Sequence, residues 1–369
     1  MKFALLETTP LLEQLESQIA RDDEHQVVFS LSDLNQLDLR ALEQTGAQVV
    51  VLGGPQEEAV LLRAVEALKA FRGTVCLAHP CTRAVLTAYE VERLAGDALG
   101  LFVPLLPLLH HPVIQEALTA SIADPLIDVG HVERVEMQRP IQSGHAEAVF
   151  DLFAQDLTAL VALAGPITEV VAMQSGSETV PLNVQCTTQT GRLVRWSAVR
   201  PSSNQEPAQL LIEGTEGRAV VRLNEIGQGD VATASGVQSF PPLDLAAICA
   251  ASPHAAASAV DWQPMTHSLE VCEAAQKSVK RGRLVRLNLD GHGEKTAFKG
   301  TMASLGCGLL IGGLVLLVLS AIMLNVADAS GFEILASWIN KVPWILAGLM
   351  VIFLLIQTLA YVIPRSDEK

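Results

Sequence analysis

The sequence predicts three successive regions: an α/β domain on a parallel sheet, an α+β domain with an open-faced antiparallel sheet, and two transmembrane helices. Three observations carry this. Continuous apolar runs alternate with helical-period segments up to about residue 135, short strands joined by tight turns follow, and two long uncharged stretches lie after residue 300.

In the first region, Lys2–Leu6 is a short apolar run and Leu11–Ala20 carries apolar residues at helical spacing. His25–Ser30 reads as a strand, Leu34–Gln44 as a helix, and Ala47–Gly53 as a continuous β-branched run. Glu57–Phe71 is a further helix, followed by the strand Thr74–Leu77. Strands apolar at every position need cover on both faces, which amphipathic crossover helices supply.

The second region changes period. Val170–Gln174, Leu182–Thr188, Leu193–Val199, Gln209–Glu213 and Arg218–Leu223 read as strands, with turns at Thr190-Gly191 and Gly214–Gly217. Helices over Ala146–Ala164 and His267–Arg281 would cover one face of their sheet. The expected domains are therefore 1–137 and 138–288, with 289–302 as a basic linker.

Residues 303–326 and 342–363 contain no charge, and each is about the length that crosses a hydrocarbon core. Arg281, Arg283, Arg286, Lys295 and Lys299 precede the first span, and Arg365 and Lys369 follow the second. The positive-inside rule then places the soluble region and both termini in the cytoplasm, with lipid as the partner of 303–363. With no ionisable residue in either span, the pair reads as an anchor and not as an ion or proton pathway. A formal charge of −15 argues against nucleic acid as a partner. Six cysteines without framework spacing fit a reducing compartment, and Met1–Glu7 has too short an apolar stretch for an export signal. Cys76-x-x-His79-x-Cys81 is not read as a metal site, because a strand sends alternate side chains to opposite faces.

Four segments stand in a telling order. Ala47–Pro55 is a strand ending in a turn, Val75–Pro80 a strand ending in His-Pro, Val149–Leu157 with Gly165–Val170 a helix and turn, and Ser268–Gly282 a closing helix. In this order they resemble the Gfo/Idh/MocA oxidoreductase family, which pairs a Rossmann domain with an open-faced β-sheet domain; the resemblance covers nearly all of residues 1–288. It implies an NAD(P) site after the first strand, with Thr8, Thr9, Asp33 and Pro55 at the cofactor positions and His79 at the place of the catalytic lysine. It also implies pairing of two copies through the open sheet face, expected to be broad and apolar.

The chemistry departs from that pattern. A dinucleotide turn needs glycine for close approach of the pyrophosphate, yet Leu6-Glu7-Thr8-Thr9-Pro10-Leu11 has none, and Glu7 adds negative charge. Asp33 can stand for the ribose-binding acid or simply cap a helix. The family's His-x-x-Asp pair falls on Gln155 and Thr158, with Asp156 one residue away, and the Arg-Phe-x-Pro-like segment reads Leu108–Pro112 without arginine. His79 could still donate a proton. The expected function is thus a membrane-anchored, catalytically degenerate oxidoreductase scaffold without cofactor. The alternative is an active NAD(P)-dependent oxidoreductase on a sugar-like or polyol substrate, with Thr8 and Thr9 replacing the glycines.

Overall fold

Alternate residues of the first strands enter two different cores. In the computed structural model, Ala4, Leu6, Val50, Leu52, Val75 and Leu77 join one apolar cluster, while Phe3, Leu5, Val49, Val51 and Cys76 join another. The structure describes residues 1–287 apart from 8, 55, 120–128, 142–144, 175–180, 202–205, 224–228, 235 and 256–260. The predicted spans at 303–326 and 342–363 fall outside the described residues, among which no helix is long and apolar enough to cross a membrane.

The chain begins β1 (Lys2–Leu6), α1 (Pro10–Ile19), β2 (Gln26–Leu31), α2 (Leu39–Gln44), β3 (Val49–Leu52) and α3 (Glu58–Leu68). It continues through β4 (Thr74–Ala78), α4 (Val85–Gly96), β5 (Leu101–Leu105) and α5 (Pro112–Thr119). The strands form a parallel five-stranded sheet in the order β2-β1-β3-β4-β5, a Rossmann-like arrangement. The order reverses between β1 and β3, and in such sheets ligands sit beyond the carboxyl ends of the strands at that point. The helix expected over Leu34–Gln44 is broken. Asp38 caps α2 by accepting from Arg40 N at 3.0 Å, so Leu34–Gln36 is left as a separate 3-10 turn.

The second sheet starts with β6 (Val132–Pro140), followed by α6 (Ala146–Ala164), β7 (Ile167–Gln174), β8 (Leu182–Thr188) and β9 (Leu193–Val199). Next come β10 (Ala208–Gly214), β11 (Arg218–Leu223), β12 (Gly229–Thr233) and β13 (Gly236–Phe240). Two helices, α7 (Leu245–Ala255) and α8 (Gln263–Arg281), precede the last strand, β14 (Val285–Arg286). The nine strands run in the order β13-β12-β11-β10-β6-β9-β8-β7-β14. The sheet is mixed and not purely antiparallel as the sequence suggests: β6 and β9 are parallel, because α6 intervenes before the β7-β8-β9 meander returns beside β6. β6 also runs through the expected boundary at residue 137.

Helices α6 and α8 cover one face of this sheet, burying Val135, Met137, Val170, Val184 and Trp196. The opposite face carries the alternate residues. Arg134 is paired there with Glu136 and, at 3.5 Å, with Glu213, while Arg195 reaches Glu136 at 3.0 Å. Met173 on the same face is 65% exposed. The face is therefore mixed and charge-compensated, not the broad apolar surface expected, since many positions pointing away from the helices carry charged or polar side chains.

Helix α7 leaves the second sheet and returns to the first, where Leu245, Ala246 and Cys249 complete the cluster around α1. Gln18 fastens it: its Nε2 donates to Leu243 O at 2.7 Å, and its Oε1 accepts from Leu245 N at 2.9 Å. One carboxamide thus satisfies two backbone groups that would otherwise be orphaned beside an apolar core. Gln18→Leu is expected to cost roughly 1–3 kcal/mol, the penalty for unsatisfied groups of this kind. Amide exchange across residues 245–255 should speed up before that of β3 or β4; unchanged exchange there would show that α7 is held by apolar contacts alone.

Candidate functional site

A cleft of about 670 Å³ lies beyond the carboxyl ends of the parallel strands, lined by Thr9 and Gly54, by Ala78 and His79, by Leu106–Leu108, and by residues of β6 and α6. It occupies the reversal point of the sheet, where such folds bind ligands.

Its first wall is the β1–α1 turn. Glu7 has φ 77, the left-handed region that glycine tolerates and other residues reach at a cost of about 1–2 kcal/mol. Its Oε2 is buried without a hydrogen-bond partner among the described residues. Burial raises the Glu7 pKa, a hydrogen bond from the Gln56 side chain pulls it back, and the charge of Asp33 pushes it up again. Asp33 caps the following 3-10 turn, accepting from Asn35 N at 2.9 Å, which lowers its own pKa. Thr9 caps α1, accepting from Leu12 N at 3.3 Å, and Pro10 at the helix start has no N–H. A Cβ on Gly53 would meet Thr9 Oγ1 at 2.8 Å and one on Gly54 would meet Thr9 Cγ2 at 2.8 Å, so the turn after β3 closes directly on Thr9. Thr8 and Pro55 lie outside the described residues.

The described residues of this turn fit a pyrophosphate poorly. Pyrophosphate binds such a helix through its free amides and dipole. Here Pro10 contributes no amide, the Leu12 amide is taken by Thr9, and the Glu7 carboxylate repels an anion, whereas Asp33 keeps the place of a ribose-binding acid.

His79 follows β4 and is 2% exposed. Its Nε2 lies 3.0 Å from Ala154 O and 2.9 Å from Ser268 Oγ, and the Ser268 hydroxyl donates to Met265 O at 2.7 Å. Both groups facing Nε2 are therefore acceptors, which puts the proton on Nε2 and leaves Nδ1 as a buried lone pair without a partner among the described residues. Burial lowers the His79 pKa to about 4, partly opposed by the Ala154 hydrogen bond. In that arrangement the ring is neutral near pH 7 and its proton is held by two protein oxygens.

The far wall holds the residues that sequence reasoning placed least well. Gln155, Thr158 and Asp156 all line the cleft. Asp156 has no exposure and accepts from Arg139 Nε at 2.8 Å, Arg139 Nη2 at 2.6 Å and Trp196 Nε1 at 2.8 Å. Arg139 was missed; its one signal is an arginine that falls in the phase of Val135 and Met137 on a strand alternating apolar and polar residues. Asp151 is engaged by Arg83 at 2.8 and 2.7 Å, and Arg83 also reaches Glu147 at 2.6 Å. Of the adjacent histidines, His111 is buried, with Nδ1 accepting from Val113 N at 3.3 Å, while His110 is exposed. Cys76 and Cys81 pack in different apolar clusters, so they do not converge with His79 on a metal.

No family model and no curated protein matches the chain. Solved structures do. A myo-inositol dehydrogenase from Corynebacterium glutamicum superposes with a TM-score of 0.57 at 13% identity, over 78% of this chain and 99% of that one. GenD2 from gentamicin A biosynthesis, in complex with NAD, gives 0.61 at 14% identity, over 78% and 96%. An oxidoreductase from Agrobacterium radiobacter, in complex with NAD+, L-tartaric acid and magnesium, gives 0.57 at 14% identity, over 78% and 98%. At these identities the likeness establishes the fold alone, a Rossmann-like parallel sheet followed by a mixed-sheet domain.

Two outcomes follow from the site. Glu7→Gly removes both the left-handed strain and an unpaired buried carboxylate oxygen; it should raise stability by about 1 kcal/mol, read as a higher melting temperature, and a lower one would show that the Gln56 contact outweighs the strain. His79 titrates at about 4 when folded against 6.5 in a model histidine, so its contribution is full above the higher value and is lost as pH falls toward the lower. Roughly 3 kcal/mol is involved. His79→Gln should flatten the stability profile in that window, checked by denaturant unfolding at both ends.

Proposed function

We propose that this chain is a catalytically degenerate relative of the Gfo/Idh/MocA oxidoreductases, anchored in a membrane through residues 303–363 and working as a binding or interaction scaffold. The observation that carries this reading is the amino end of α1, where Thr9 and Pro10 leave little for a pyrophosphate and Glu7 opposes it. The state of His79 supports it: a neutral ring with its proton engaged offers no ready acid. The soluble region and both termini face the cytoplasm in this reading, on the strength of the Lys and Arg residues flanking the spans.

Two copies pair across the open face of the second sheet. Its ion pairs, Arg134 with Glu213 and Arg195 with Glu136, offer charges of both signs that a two-fold arrangement can match. Tethering in one membrane raises the effective concentration of the two copies.

The test is calorimetric titration of the full-length chain, in lipid nanodiscs, with NADH and with NADPH. No saturable binding up to millimolar cofactor is expected from a folded sample. Saturable micromolar binding would overturn the reading and bring forward an active NAD(P)-dependent oxidoreductase on a sugar-like or polyol substrate, the chemistry that the cleft's position in the fold otherwise favours.

A further inference from the structure

The surviving cleft has its own chemistry, independent of what the fold once held. Its lining draws apolar side chains from helices, loops and a strand end, among them Leu11, Leu106, Leu152, Leu223 and Leu243. The lining residues that bear a full charge are Arg139, Asp151 and Asp156. Each is already compensated: Asp156 holds Arg139 through two contacts, and Arg83 holds Asp151. A charged ligand would enter an apolar cavity whose counter-charges are spent, and an unpaired charge in such surroundings is costly.

Hydrogen-bonding capacity nevertheless remains. Arg139 engages Asp156 through Nε and Nη2, while its Nη1 has no partner among the described residues, and its side chain is 22% exposed. The Gln155 side chain also lines the cleft and has no hydrogen bond among the described residues. A guanidinium fixed along one edge presents its other edge in a set direction, which suits a neutral oxygen acceptor better than a carboxylate needing a full positive charge. The volume of about 670 Å³ is that of a small-molecule site.

We propose that the cleft binds an uncharged, largely apolar molecule through a carbonyl or hydroxyl oxygen placed on the Nη1 edge of Arg139, beside Gln155. This rests on the preceding reading, that no dinucleotide occupies the cleft. It adds a ligand class unlike a phosphorylated cofactor: the walls supply apolar contact, and the two side chains fix orientation.

The probe is benzophenone, a neutral aromatic ketone that photolabels what it touches, set against its anionic analogue 4-benzoylbenzoate. Full-length chain in nanodiscs is irradiated with each, and labelled peptides are mapped at residues 106–109 and 148–158 only, since benzophenone in the bilayer labels apolar segments regardless. The expected result is labelling of both cleft peptides by benzophenone and several-fold weaker labelling by the carboxylate. Ala148→Trp, at an exposed lining position, should abolish the label without lowering the melting temperature. Arg139→Lys keeps a cation for Asp156 but loses the second edge, and should weaken labelling several-fold. Equal or stronger labelling by 4-benzoylbenzoate, or cleft labelling unaffected by Ala148→Trp, would overturn the proposal. The two readings fail separately: saturable NADH binding sinks the proposed function, whereas absent cleft labelling in a chain that binds no NADH sinks the ligand class alone.

Discussion

Helix α6 buries one carboxylate in an otherwise apolar stretch, and much of the structure is arranged around that group. A fully desolvated Asp156 is tolerable because three donors converge on it, two from Arg139 and one from Trp196. Those donors sit on β6 and β9, the one parallel pair of the large sheet, so the ion pair fixes the height and rotation of α6 over it. The same helix supplies the carbonyl of Ala154 to His79 and the far wall of the cleft. Removing one partner from such a pair typically costs about 3–5 kcal/mol, because the other is left charged and dry.

A second set of contacts joins the lobes at the back of the cleft. Tyr89 on α4 donates to Glu270 on α8 at 2.6 Å; Glu270 lies 3.2 Å from His267 Nδ1, and His267 Nε2 accepts from Ile167 N at 3.1 Å. With Ser268 also facing His79, the first turns of α8 tie the parallel sheet to the mixed one. Polar groups that could have been read as catalytic are here spent on holding the two sheets at a fixed separation.

How much of this was legible in the sequence follows from where each signal is written. β1, β3 and β4 are buried on both faces, so their runs of Leu, Val and Ala announce themselves locally. α7 does not: it is short, rich in alanine, contains Pro253, and is defined by the sheet of another region against which it packs. β13 is equally silent, being exposed along most of its length. At the site, the absence of glycine in Glu7–Pro10 was plain, but the left-handed backbone of Glu7 and the closure of Gly53 and Gly54 over Thr9 are tertiary facts. Arg139 and Asp156 are separated by 17 residues across a strand and a helix, and no periodicity marks two such positions as partners.

The return of α7 ties the order of synthesis to the order of burial. The apolar face of the parallel sheet that carries Phe3, Leu5, Val49, Val51 and Cys76 is closed partly by α1 and partly by Leu243, Leu245, Ala246 and Cys249. By the end of β5 the chain holds every strand of that sheet but only the α1 part of its cover. Until the chain reaches α7, a nascent lobe exposes greasy surface that a chaperone or a neighbouring nascent chain can seize. The two lobes consequently share a core, so opening of the second uncovers apolar surface of the first.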